Sequence, residues 1–138
     1  MSEHDAFREW VETALRGAEV ALHNGDPVPR LALWSAVEPV SVLGAARNAV
    51  GRNEVEQLFA TLASGFSACT SYGFEVLVSD VVGDMAFTSG VEQISASVEQ
   101  RPQTWRLRAT QIYRREDGRW RVAHRHADRI PDPDPITV

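Results

Sequence analysis

The stretch "DGRWRVAHRHAD", residues 117–128, places His124, His126 and Asp128 at every second position. Side chains alternate along a strand with period two, so the three share one face, together with Trp120 and Val122. Two imidazoles beside a carboxylate offer three kinds of chemistry. They can form a buried hydrogen-bonded network, with Gln111 across the ladder as partner. They can form an acid/base pair, in which Asp128 orients a ring that titrates near neutrality. They can also hold a metal, His-x-His giving two ligands and Asp128 a third. No further acidic or histidine partner falls in register, so no metal is expected. His126 lies one pleat nearer the strand end than His124. It is therefore the catalytic candidate, with Asp128, and His124 the structural one.

The strand before it, "TWRLRATQIYRRE", alternates Trp105, Leu107, Ala109, Gln111 and Tyr113 with Arg106, Arg108, Thr110, Ile112 and Arg114. The first set is the more apolar and is assigned inward. Gln111, Tyr113 and His124 then line an interior, with Trp34 as a wall from the helical side. A bulge, which bent sheets need, would swap the faces and aim Arg108 inward.

These strands need elements to position them. Phe7, Trp10, Val11, Ala14, Leu15, Ala18 and Leu22 follow helical spacing, with Ser2 as cap and Gly25 in "HNGD" as stop. His4 and His23 on this helix are read as solvated. Asp26-Pro27 restarts a short helix carrying Leu31 and Trp34. "VEPVSVLGA" reads as a short strand, at an edge because it contains proline. A third helix follows in "GRNEVEQLFATLASGF", with Asn53 and Glu56 as a capping box. After it the period becomes two. Four long strands follow, turned at "GD", "EQRPQ" and "DG". The order gives an α+β domain over residues 1–129: three N-terminal helices wrapped by a strongly bent antiparallel sheet, a cone with one open end. The tail 130–138, "IPDPDPITV", is expected to be disordered.

Composition narrows the function. The 138 residues carry a net charge of −5 and fit one domain. No apolar run nears the ~18 residues that span a bilayer, and no basic-then-apolar leader opens the chain. A single cysteine, Cys69, forms no internal disulfide and has no activating neighbour, so a cytoplasmic setting is expected. The basic residues are all arginine, and eight of them lie between 101 and 125. Interleaved aromatics are sparse there and the chain is acidic, so neither nucleic acid nor membrane is expected as partner. Those arginines fit an outer sheet face on which two copies pair, using Thr110, Ile112 and Ala123.

"GD" at 25–26, Trp34, "GR" at 51–52 and the run from Thr110 to His126, "TQIYRREDGRWRVAHRH", resemble the nuclear transport factor 2-like superfamily. Within it the chain is most similar to the SnoaL-like group and to the association domain of calcium/calmodulin-dependent protein kinase. The resemblance spans residues 5–128 and implies a cone-shaped α+β barrel. It also implies a small-molecule pocket and, in enzyme members, cofactor-free isomerase, cyclase or dehydratase chemistry. Ketosteroid isomerases carry a general-base aspartate where this chain has Ser41 or Val42, and an oxyanion acid near Leu107 or Thr110. Cyclase members use a late aspartate and a histidine, for which Asp128 and His126 stand in. Dehydratase relatives use a histidine pair, an aspartate and tyrosines, matched by His124, His126, Asp128 and Tyr113. The kinase association domain has a pocket arginine where this chain has Gln111. The alternative to an enzyme is a non-catalytic ligand-binding or assembly module.

Overall fold

The computed structural model describes residues 1–131. Helix α1 (Glu3–Trp10) starts as expected at Ser2, whose hydroxyl accepts from Asp5 N at 3.0 Å while the Asp5 carboxylate accepts from Ser2 N at 3.2 Å. One π turn (Val11–Leu15) joins it to α2 (Arg16–Leu22) as a single rod. The wider turn steps the buried stripe by four residues, through Phe7, Val11 and Leu15, and rotates Ala14 out to solvent. The rod ends at Gly25, whose φ of +92° closes the turn with Gly25 N on Leu22 O and Asp26 N on Ala21 O. The short α3 (Val28–Leu33) follows, its Val28 N–H taken by the Asp26 carboxylate at 3.1 Å.

Helix α4 (Arg52–Gly65) begins earlier than Asn53 and Glu56 suggest. Its N-cap is Gly51, at φ +89°, and the Glu38 carboxylate accepts from Arg52 N at 2.8 Å. Three helical bodies thus precede the long strands, as expected.

Strands β1 (Ser41–Leu43), β2 (Ala49–Val50), β3 (Phe66–Val82), β4 (Met85–Val98), β5 (Arg101–Glu116) and β6 (Arg119–Arg129) form one sheet in the order β2-β1-β6-β5-β4-β3. β3 to β6 make the expected antiparallel meander. β1 corrects the sequence reading twice. It lies between β2 and β6 rather than at an edge, and it runs parallel to β6, so the sheet is mixed. Pro39 precedes the strand and removes no ladder bond from it. The sheet does not close on itself; β2 and β3 remain as its two edges.

The concave face wraps the helices. Phe7, Trp34, Phe59, Tyr113 and Val122 centre one apolar cluster, and Tyr72, Ile94, Trp105 and Leu107 a second. Each large side chain fully buried there contributes about 1.5–3 kcal/mol. Among the described residues no helix is long and apolar enough to cross a membrane. The expectation for the tail falls, from residue 132 onward, outside the described residues.

Candidate functional site

A cavity of about 270 Å³ opens at one end of the cone, next to the second apolar cluster. Leu22, Leu58, Phe59, Ile94 and Leu107 give it apolar walls. Glu19, Arg30, Glu92 and Arg125 give it charge, and His23 adds a polar ring. Such an apolar cleft with a few convergent polar groups is the usual form of a small-molecule site.

Glu92 and Arg125 reach the interior from neighbouring parts of the sheet. Glu92 continues the inward set Ala86, Thr88 and Gly90 of β4. Arg125 is turned inward by a bulge in β6: Tyr113 pairs with Val122 but Ile112 pairs with His124, leaving Ala123 as the extra residue. Arg125 Nη2 donates to Glu92 Oε1 at 2.5 Å and Nη1 to Oε2 at 3.2 Å, a bidentate pair. The Tyr72 hydroxyl adds a third bond to Glu92 at 2.6 Å. Arg125 Nη1 also donates to Gln111 Oε1, at 3.1 Å. Gln111 Nε2 in turn donates to the Tyr113 oxygen at 2.7 Å, and Tyr113 shares a 2.7 Å bond with Thr88. Burial would raise the Glu92 carboxyl, but the Arg125 guanidinium outweighs it and holds Glu92 below the usual carboxylate value. Burial, reinforced by Glu92, pushes Tyr72 well up, so it stays a neutral donor.

The opposite wall comes from the helices. Glu19 and His23 lie one turn apart on the rod, and Arg30 approaches from α3. Arg30 Nε stands 3.0 Å from Glu19 Oε1, with both side chains almost wholly buried. The contact is an ion pair without hydrogen-bond geometry, since the same Nε–H has no hydrogen-bond acceptor. The guanidinium lies 4.4 Å from the centre of the Phe59 ring.

His23 is only 6% exposed. Its ring stacks on Phe66 at 4.7 Å, and Nδ1 lies 2.7 Å from Glu19 O. A carbonyl only accepts, so Nδ1 carries the proton. Nε2 keeps its lone pair and has no partner among the described residues. Burial pulls His23 below the ordinary imidazole value, against the opposing pull of Glu19, so it is neutral at pH 7. The arrangement can accept a proton from a bound molecule at Nε2, and the Glu19 charge would stabilise the imidazolium that results.

A family model for the SnoaL-like domain matches residues 7–133. The chain belongs to the SnoaL-like domain family. No curated protein sequence matches it. Solved structures with the same fold include a ketosteroid isomerase-like protein from Erwinia carotovora atroseptica, 16% identical, covering 95% of this chain and 99% of its own, with a TM-score of 0.76. A nuclear transport factor 2-like superfamily protein from Salmonella enterica is 15% identical over 97% of both chains, with a TM-score of 0.74. A nuclear transport factor 2-like protein from Streptomyces avermitilis, provisionally described as a dehydratase, is 22% identical over 92% and 98%, with a TM-score of 0.73. These likenesses establish the fold.

The SnoaL-like cone places the residues singled out in the sequence differently from one another. Trp105, Leu107, Ala109, Gln111 and Tyr113 all point inward as assigned. Gln111 and Tyr113 do not line the cavity; they form the chain of hydrogen bonds behind Arg125. Trp34 is buried edge-on against Phe59 at 5.2 Å, so it backs the wall rather than forming it. The inward placement of His124, His126 and Asp128 is corrected. The bulge at Ala123 turns all three to the outer face, where the His126 and Asp128 side chains are 55% and 70% exposed, with Nε2 and Oδ2 3.3 Å apart. His124 Nδ1 bonds the Ser41 hydroxyl at 2.8 Å on that same face. Arg108, paired in register with Asp128, is exposed there too. The expected face swap does occur, but in β6, so the arginine it delivers is Arg125. Ala123, the extra residue of the bulge, is buried rather than exposed for pairing.

His23, read as solvated, and Glu19, Arg30, Glu92 and Arg125, not singled out in the sequence, are the polar residues that line the cavity. The signal for His23 was present: it stands four residues after Glu19 and eight after Leu15, on the stripe that ends at Leu22.

Proposed function

We propose that this SnoaL-like chain binds a small organic molecule inside the cone and acts on it by cofactor-free acid/base chemistry of the isomerase, cyclase or dehydratase type. His23 is the proton acceptor. One observation carries the reading: Glu19 O fixes the His23 proton on Nδ1 and leaves an unpartnered Nε2 at an apolar cavity. Neutral imidazole is the basic form, and proton transfer by a positioned histidine is worth about 10²–10⁴-fold. Arg125, pinned by Glu92 and Gln111, supplies a fixed positive charge in the same interior, where developing negative charge is stabilised more than in water.

Hydrogen–deuterium exchange at the α-carbon of phenylacetone in D₂O tests this. Wild type should accelerate the exchange and His23→Gln should lower it about 100-fold. Because burial depresses the His23 pKa, the rate should fall with acid at a lower pH than an ordinary imidazole would give. A His23→Gln protein exchanging at the wild-type rate contradicts the assignment. Binding without exchange in wild type would leave a ligand-binding module.

The outer sheet face suits a second copy of the chain. Val78, Val82, Met85 and Phe87 are exposed together at the β3–β4 end. Exposed apolar groups in one patch commonly mark an interface. Sedimentation at micromolar concentration should show twice the 15.3 kDa chain mass, and Phe87→Glu should return a monomer.

A further inference from the structure

The two buried ion pairs around the cavity differ in how completely they are satisfied. Arg125 places both terminal nitrogens on protein acceptors, Glu92 and Gln111. Arg30 does not. It is 3% exposed and lines the cavity, yet its one charged contact is the Glu19 carboxylate beside Nε. Its Nε–H is fully buried without a hydrogen-bond acceptor, and its two terminal amino groups, at the cavity it lines, make no hydrogen bond among the described residues. A guanidinium stays charged in a protein, so these donors are permanent, and the terminal ones remain free for an acceptor inside the cavity. Stacking on Phe59 and the Glu19 contact fix the plane of the group, so its terminal edge is presented as a rigid fork. That fork matches a carboxylate.

We propose that the ligand of this cavity is a monocarboxylate with an apolar body, its carboxylate held by the terminal nitrogens of Arg30. This rests on the reading of the cavity as the binding site and names its substrate class. The apolar body fits the walls made by Leu22, Phe59, Ile94 and Leu107 within about 270 Å³. Inside the cavity Arg30 offers one guanidinium edge whose terminal nitrogens make no hydrogen bond, which is room for one carboxylate. A dianion such as a phosphate monoester would add a second charge beside Glu19 and Glu92. At the mouth stands Arg129, its guanidinium 5.5 Å from the Trp105 ring centre, so an anion enters past a third arginine.

The test is calorimetric binding of phenylacetate, phenylacetamide and phenyl phosphate to wild type, Arg30→Lys and Leu62→Trp, the last filling the cavity from α4. Phenylacetate should bind wild type at least about tenfold more tightly than the other two, as one charge-assisted contact requires. Arg30→Lys, which keeps the charge but loses the fork, should lose that margin without changing the affinity for the amide. Leu62→Trp should abolish binding of all three. If amide or phosphate binds as tightly as phenylacetate, and Leu62→Trp removes that binding, the carboxylate assignment is overturned and the cavity reading stands. If nothing binds, or Leu62→Trp leaves binding unchanged, both are overturned. Should Arg30→Lys fail to fold, the comparison of the three ligands on wild type decides alone.

Discussion

Arg125→Met should destabilise the protein by about 3–5 kcal/mol in a urea or thermal melt. The arginine is buried, and Glu92, Gln111 and through it Tyr113 all depend on it. Removing the cation leaves Glu92 as an unpaired carboxylate in an apolar setting, with only the Tyr72 hydroxyl still donating to it. A charge left buried in this way costs far more than the lost contact itself. The double variant Glu92→Met/Arg125→Met removes both charges and should recover more than half of the loss, because a buried pair replaced by apolar groups is often close to neutral. Equal, additive losses from the two positions would show that the pair is not the unit argued here. Acid should act through the same pair. The folded-state pKa of Glu92 is depressed, so its contribution is present at neutral pH and is lost as pH falls below the ordinary carboxylate value.

Gly90→Ala should cost about 3 kcal/mol, the upper end of the overpacking range, because what the new methyl meets is backbone. A Cβ on Gly90 would stand 2.0 Å from Glu75 O and 3.0 Å from Val76 Cα. The register shift in β3 between Val76 and Val78 falls beside the Val76–Gly90 pair, a bulge of the kind that bends a strand. Side-chain repacking cannot relieve a clash with a neighbouring strand, so the bend itself must open, two residues from Glu92. Gly73→Ala in β3 is the control: its added Cβ meets nothing within 4 Å and should shift stability by about 0.5 kcal/mol or less. A Gly90→Ala protein as stable as Gly73→Ala would contradict the close approach.

Much of this architecture was legible in the residues. The helical stripe from Phe7 to Leu22, the Ser2 cap, the Gly25 stop and the inward alternation of β5 follow from periods and caps that act locally. The site was less legible, for identifiable reasons. Period two assigns the faces of β6 only while no residue is extra. One bulge at Ala123 exchanged the two sets, moving His124, His126 and Asp128 outside and Arg125 inside. Nothing in "RWRVAHRHAD" says which residue will bulge, because the cause is the curvature of the whole sheet. β1 took a central position because β2, two residues long, covers it, and so short a strand has no readable pattern. Arg30 and Glu19 meet only through the angle between α3 and the rod, which no spacing encodes. His23 and Glu92, by contrast, were readable as polar residues on otherwise apolar faces.

The central claim is that this protein works from the cavity inside the cone, not from the histidines on its outer face. ¹⁵N NMR of the imidazoles, recorded with and without phenylacetate, tests it most directly. His23 should show the Nδ1–H tautomer with a bare Nε2, should protonate below the ordinary imidazole range, and should shift on ligand addition. His126 should not respond to the ligand. A shift at His126 with His23 silent would contradict the account.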